Sequence, residues 1–435
     1  MFYGWWIVAA GFLNQALAAA LLQRSYGAYV VLLREEFGWS KAELSAAYSM
    51  QQVENGILGP IQGWLVDRFG PRASMRVGMV MFGLGFIWFS RIDSLSTFYI
   101  AFVMMALGSS LGGFFPFSVA TVNWFSRRRS RALSTMQMGG ALGGLLIFIV
   151  VFALETFGWR QTAFVSGLLI LGVGLPLTQI IRRRPEDHGM VVDGVPPEDQ
   201  PAIEDGALRG ARLSDASGSG DFTLKQAMAT PAFWLISLGH ASALLIVSAV
   251  NVHIVLYITE DLGYSLGFAS LVLMVLTVAQ VAGIGAGAVV GDRWDKRHIA
   301  VGCMAFHTMA LLLVAYAFHP AVVFAFAVMH GAAWGLRGPM MQAIRAEYFG
   351  RSAFGSILGV SSLLVMAGTI SGPLVAGVLA DRTGSYRLGF TILAILSGSG
   401  AVFFMLARRP TLPPGGGPAE ESTTTADAGR APAGR

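Results

Sequence analysis

Gly63-Trp64-Leu65-Val66-Asp67-Arg68-Phe69-Gly70-Pro71-Arg72 closes one apolar run and opens the next, so its charges fall in a very short loop pinned at a membrane face. A looser copy lies about half a chain later, at Ala288-Val289-Val290-Gly291-Asp292-Arg293-Trp294-Asp295-Lys296-Arg297. In both, an apolar stretch ends on Asp-Arg and basic residues follow within five positions. The chain reads as two versions of one design.

Composition names the solvent. Of 435 residues, 54% are hydrophobic and 13% charged, with a mean hydropathy of +0.61, whereas a water-facing surface requires about a quarter charged residues. The expected surroundings are lipid. The 54 glycines fit closely packed transmembrane helices. Cys303 is the single cysteine and sits in an apolar run, which excludes an internal disulfide and a cysteine zinc site. No cofactor or metal is expected. The net charge of +5 is distributed over alternate loops, a pattern that sets membrane orientation and does not indicate a nucleic-acid partner.

Twelve apolar runs approach the ~20 residues that a bilayer core requires: 5–33, 42–66, 74–91, 97–124, 132–156, 160–181, 231–259, 264–290, 299–318, 320–346, 354–379 and 386–407. The first is too long for the apolar region of a signal peptide and lacks a basic region before it, so it is expected to be a membrane span. With the N-terminus inside, Arg68, Arg72, Arg127 to Arg129, Arg131, Arg182 to Arg184, Arg293, Lys296 and Arg297 all fall on the cytoplasmic side. Both termini are expected in the cytoplasm of a multi-pass protein of the cell membrane. Residues 182–230 carry Pro196-Pro197 and Ser217-Gly218-Ser219-Gly220 in place of an apolar period, which predicts a flexible linker between bundles at 1–181 and 231–409. Residues 410–435 are expected to form a disordered tail. Gly59-Pro60, Gly112-Gly113, Gly338-Pro339 and Gly372-Pro373 interrupt spans, either for close packing or as bendable points.

The loop at 63–72 resembles the loop between helices 2 and 3 of the major facilitator superfamily, through Gly63, Asp67, Arg68, Gly70 and Arg72. The second copy keeps Asp292, Arg293 and Arg297. Gly4-Trp5-Trp6, Phe37-Gly38-Trp39-Ser40 and Gly158-Trp159-Arg160-Gln161 are similar to stretches of bacterial relatives of monocarboxylate transporters and oxalate:formate antiporters. The resemblance implies an all-α membrane protein of twelve transmembrane helices in two pseudo-symmetric six-helix bundles, with helices 1, 4, 7 and 10 lining a central cavity. It also implies a latch at the two Asp-Arg loops that closes the inner side, Asp67 meeting basic residues of a neighbouring loop and a helix N-terminus of the other half; Arg127 to Arg131 are candidate partners. A monomer is the family expectation.

Charges inside spans are costly in hydrocarbon and are functional candidates for that reason. Arg24, Glu54 and Arg337 are the three that stand out. By the ~1.5 Å rise per residue, Glu54 lies roughly 20 Å above Asp67, with Arg337 at similar depth and Arg24 within reach of Glu54. Arg24 and Glu54 form either a permanent structural pair or a proton-coupling site. His330, Trp334, Arg337 and Met341 form one helical stripe; His240 and Asn251 bound another, with Gln280 at mid-depth and Tyr26 beside Arg24. A guanidinium in a dry cavity suits a carboxylate. The reading is a secondary transporter, not an enzyme, that moves a small organic anion, with Arg337, Arg24, Trp334, Asn251, Gln280, His330 and Tyr26 at the substrate and Glu54 and His240 carrying protons. H⁺ or a counter-anion is the expected coupling partner. Alternatives are a proton-coupled exporter of lipophilic compounds and a solute receptor that does not transport. The substrate arginine that the resembling groups place on helix 8 is missing from 264–290.

Overall fold

The computed structural model describes residues 2–195 and 221–411, and they are almost wholly helical. Pro196-Pro197, the Ser217-to-Gly220 stretch and nearly all of the expected tail lie outside the described residues.

Six helical spans come from each half. Span α1 runs Gly4–Phe37 and passes through a π-helical turn at Ala19–Gln23. Span α2 consists of Lys41–Ile57 and Gly59–Phe69, α3 of Pro71–Phe89, and α4 of Leu95–Gly112 and Phe114–Trp124. The helical stretch Arg129–Ile180 divides at Gly158, whose φ of 77° no L side chain adopts cheaply, giving α5 (129–157) and α6 (159–180). The second half supplies α7 (Pro231–Leu256), α8 (Leu266–Val290), α9 (Lys296–Ala315), α10 (Pro320–Phe349), α11 (Phe354–Thr383) and α12 (Tyr386–Leu406). Nine helical stretches among the described residues are long and apolar enough to cross a membrane, one of them the double stretch Arg129–Ile180.

Of the four interruptions, only Gly112-Gly113 leaves the helical conformation, at Gly113, where ψ is −131°. At Gly59-Pro60 the preceding Leu58 keeps helical dihedrals, donates to the Glu54 carbonyl at 2.9 Å and accepts from the Gln62 N–H at 2.8 Å. Pro339 and Pro373 sit inside continuous helices, which run on without the N–H that proline lacks.

Each half has its own tie at the end away from the Asp-Arg loops. In the first, Glu36 accepts hydrogen bonds from Trp159 Nε1 at 2.5 Å and Arg160 Nη2 at 2.8 Å. In the second, Asp261 accepts from Ser385 Oγ and the Tyr386 N–H, both at 2.7 Å. At the opposite end, the basic face, an apolar cluster joins the halves: Trp124, Phe125 and Met136 share it with Ala343, Ala346, Phe354 and Leu358. Here α2 lies on α11 so closely that a Cβ on Gly63 would strike the Gly355 carbonyl and come within 2.9 Å of Ser356 Cα. A Cβ on Gly59 would likewise stand 2.9 Å from the Gly359 carbonyl oxygen.

The ends of the expected linker are bound, not loose. Asp193 accepts the N–H groups of Ser126 (3.2 Å), Arg127 (2.8 Å) and Arg128 (3.4 Å) in the α4–α5 loop. Asp221 accepts those of Arg351 (2.9 Å) and Ser352 (2.7 Å) in the α10–α11 loop. A short helix, Leu224–Met228, follows, closed at its start by Thr223 and Gln226. Buried N–H groups of a tight loop need acceptors, and the linker supplies them on both sides.

Gly63→Val places a branched side chain against α11 backbone, which cannot move aside as a flexible side chain can. The expected result is separation of α2 from α11 at the basic face. Spin labels on cysteines introduced at the ends of the two helices, with the buried Cys303 as low background, should report a longer distance; an unchanged distribution would rule out this contact as the constraint on closure.

Candidate functional site

Two carboxylates bridge the halves. Asp67 Oδ1 accepts the Gly355 N–H at 3.0 Å and Oδ2 the Ser356 N–H at 2.7 Å, at the first turn of α11. Asp292 does the same at the first turn of α5, accepting the N–H groups of Ser130 (2.7 Å) and Arg131 (3.1 Å). Unsatisfied N–H groups and the positive end of the dipole both make a helix N-terminus a seat for an anion. The partner of Asp67 is the opposite half's helix start, while the backbone N–H groups of Arg127 and Arg128 go to Asp193 and that of Arg131 goes to Asp292. Arg183 Nη2 donates to the Asp67 carbonyl at 2.6 Å.

Asp292 lies beyond the end of α8, and burial pushes its carboxyl above its ordinary value while Lys296 and the N–H groups of Arg131 and Ser130 pull it down. Burial is the larger effect, so the charge and the bonds around it offset only part of what burial costs.

The rest of the expected latch divides. Gly63 provides the close approach, and Gly70, at φ 82°, ends α2. Arg72 Nη2 donates to Gln179 Oε1 at 2.8 Å within its own half. Arg68 is exposed and lies over Trp64, 5.6 Å from its centroid. Arg293 is exposed, and Arg297 gives its backbone N–H to the cap at Asp295. A further cross-half contact comes from Arg351, which donates to the Asn123 carbonyl at 2.8 Å and pairs with Glu186 at 3.2 Å.

Above this closed face lies a cavity of about 420 Å³, within the range of roughly 300–1,000 Å³ of ligand pockets. From the first half it is lined by Gln15 and Gln23 of α1, Gln51 and Gln62 of α2, and Ser109 and Ser110 of α4. The second half contributes His240 of α7, Gln342 and Arg345 of α10, and Ser361 of α11. No acidic side chain is among the lining residues.

Arg345 is the charge at the cavity. Its side chain is 1% exposed; Nη1 donates to its own helix at Met341 O (2.7 Å), and Nη2 to Ser361 Oγ (2.7 Å) and His240 Nδ1 (3.3 Å). His240 thereby accepts, which requires an unprotonated Nδ1. Among the described residues, every partner of this guanidinium is neutral.

Arg337 does not line the cavity. The stripe formed by His330, Arg337 and Met341 points into the second bundle, where all three are at most 1% exposed. His330 Nδ1 meets His307 Nδ1 at 3.1 Å, and Arg337 lies among Cys303, His307 and His330 with Nε and Nη1 lacking hydrogen-bond partners. Helical spacing correctly put these residues on one face, but that face is packed on α9, and the next face of α10 looks into the cavity. Trp334 packs in the outer core of the same bundle.

Other expected site residues also separate. Arg24 and Glu54 form no ion pair; Arg24 follows the π-helical turn and lies beside α5, its Nε 3.4 Å from where a Cβ on Gly144 would stand. The π-helical turn changes the facing that a straight α1 would give Arg24. Glu54 is joined instead to Gln62, at 3.5 Å, and Gln62 Nε2 donates to Ser110 Oγ at 2.6 Å. Tyr26 gives its hydroxyl to the Leu44 carbonyl at 2.5 Å and packs on Phe102. Asn251 is exposed, about 16 Å along α7 from His240. Gln280 meets α10 through its backbone carbonyl, beside Gly335.

A family model of the Major Facilitator Superfamily matches residues 8–257 and 236–433. The chain belongs to the Major Facilitator Superfamily. It is a multi-pass membrane transporter, and its relatives are transport proteins rather than enzymes. Monocarboxylate transporter 13 of Bos taurus is 25% identical over 411 residues, covering 92% of this chain and 88% of the relative. The membrane sensor protein UhpC of Salmonella typhimurium is 25% identical over 379 residues, covering 84% and 83%. The probable sulfoacetate transporter SauU of Cupriavidus necator is 23% identical over 394 residues, covering 85% and 86%. Among solved structures, the proton:xylose symporter XylE aligns with a TM-score of 0.69 at 16% identity, covering 93% of this chain and 96% of that one. The human organic anion transporter MFSD10 aligns at 0.66 and 14%, covering 92% and 98%. These structures share the superfamily fold.

Asn at position 67 or 292 keeps the size of the side chain but turns one acceptor into a donor that faces an N–H. Each replacement is expected to cost the closed basic face about 1 kcal/mol, a fivefold shift toward opening. The two sites share no partner, so the double variant should show the sum. Distances between labels across the basic face measure the shift; a single variant that leaves them unchanged removes that carboxylate from the latch.

Proposed function

We propose that this transporter carries a small organic anion by alternating access, with Arg345 as the anchor of the anionic group. The observation that carries the reading is a guanidinium 1% exposed at the cavity wall whose protein partners are all neutral. Burying a cation costs several kcal/mol unless an opposite charge offsets it. Among the described residues no opposite charge lines the cavity, and a bound carboxylate or sulfonate supplies one. Arg337 lies on the same helix and adds to the positive potential without reaching the ligand. The monocarboxylate and sulfoacetate relatives support an anionic cargo.

In the proposed cycle the halves at 1–181 and 231–409 rock about the cavity, the basic face and both termini are cytoplasmic, and the protein works as a monomer. The described geometry then corresponds to the inner face closed by Asp67 and Asp292. Glu54 is the proton site: it lies behind Gln62, and the Gln62–Ser110 bond connects it to the cavity lining. Protonation of Glu54 changes what Gln62 presents to the substrate.

Radiolabelled monocarboxylates and dicarboxylates should be offered to proteoliposomes holding the parent, Arg345→Gln and Arg337→Gln. Loss of one charge-assisted contact predicts a 10- to 100-fold fall, roughly, in apparent affinity for Arg345→Gln, with Arg345→Lys recovering part of it. Uptake that survives Arg345→Gln unchanged sinks the anchor, and absence of uptake of any acid sinks the anion reading. Glu54→Gln should bind substrate yet lose the dependence of flux on external pH; a retained pH profile removes Glu54 as the coupling residue.

A second reading follows from the likeness to the sensor UhpC: the chain binds a solute and reports it without moving it. Saturable binding by purified protein with no accumulation in vesicles, under either a proton gradient or counterflow, would favour that reading over transport.

A further inference from the structure

The two walls of the cavity differ in chemistry. The second half offers a cation, Arg345, whereas the first offers four neutral amides, Gln15, Gln23, Gln51 and Gln62. An amide presents a donor and an acceptor side by side, and a carboxylate only accepts. A substrate that is all carboxylate and hydrocarbon offers the amide oxygens of this wall no donor.

Gln342 sharpens the point. It lies one turn before Arg345 on α10, about 4.5 Å along the axis, and lines the same cavity. Its side chain is 5% exposed, and its Oε1 finds no hydrogen-bond partner among the described residues. A buried acceptor left in this state is costly until a donor reaches it. A carboxylate seated on Arg345 cannot be that donor. A hydroxyl on a carbon close to the carboxylate can, because it both donates and accepts and stands about one helical turn away.

We propose that the substrate is a polyhydroxylated monocarboxylate, a sugar-acid type of molecule, with its carboxylate on Arg345, a hydroxyl on Gln342 and the remaining hydroxyls against the glutamines of the opposite wall. The assignment rests on the anion reading above and specifies the rest of the ligand. A volume of about 420 Å³ accommodates several hydroxylated carbons. Sites that hydrogen-bond a hydroxyl reject the analogue lacking it, since their own polar groups are then left unpaired.

Three probes separate charge from hydroxyls at matched carbon number: gluconate carries both, hexanoate only the charge, and sorbitol only the hydroxyls. Thermal unfolding of the purified transporter with each, and uptake of labelled probe by proteoliposomes, should rank gluconate at least about tenfold above the other two. Gln342→Met, nearly equal in length, should lower the response to gluconate by a larger factor than the response to hexanoate; a merely structural role would lower both by the same factor. If hexanoate equals or exceeds gluconate, the anion reading stands and the hydroxylated substrate is overturned. If sorbitol matches gluconate, or neither acid acts, both readings fall.

Discussion

Hydrocarbon supplies no hydrogen bonds, so every charge and every free N–H inside this chain must be answered by another group of the protein or by what the protein carries. The arrangement of the structure follows from how these demands are met. At the basic face the demand is the N–H groups at the starts of α5 and α11, and each is met by an aspartate from the other half. At the opposite face the acids Glu36 and Asp261 are satisfied within their own halves. The halves are therefore fastened at one end and self-contained at the other. In the cavity, the cation of Arg345 has only neutral answers, which makes it the place where a ligand contributes most.

The amino-acid pattern carried the architecture further than the site. Length and hydropathy of the runs fixed the spans because the bilayer imposes one thickness on all of them, and Asp67 and Asp292 were legible because a charge in a very short loop has few places to go. What the pattern could not convey was rotation about helix axes. Arg337 and Arg345 are eight residues apart on one helix, and the difference between core and cavity for their side chains depends on which neighbouring helix each face meets. Arg345 stands four residues before the end of α10, where a cation suggests a border charge. The signal that could have singled it out is Gln342, a polar residue one turn further into the span. The separation of Arg24 from Glu54 was equally hidden, because the π-helical turn at Ala19–Gln23 reorients Arg24 without an unambiguous mark in sequence.

Gate and cavity share their moving parts. Span α11 receives Asp67 at Gly355 and Ser356, and about one and a half turns later it holds Arg345 through Ser361, which also meets Ser237 of α7 at 2.8 Å. On α2, Gly59 and Gly63 allow the contact with α11, while Gln62 between them lines the cavity and touches Glu54. Displacing α2 from α11 thus cannot leave the cavity unchanged: the wall bearing Gln62 moves away from the wall bearing Ser361. Conversely, a ligand that spans Arg345 and the glutamine wall adds attraction between the same two elements that the aspartates hold together below. Asp67 and Asp292 each hold two N–H groups of the opposite half, so under the alternating access proposed above these four bonds are the ones that part when the basic face opens.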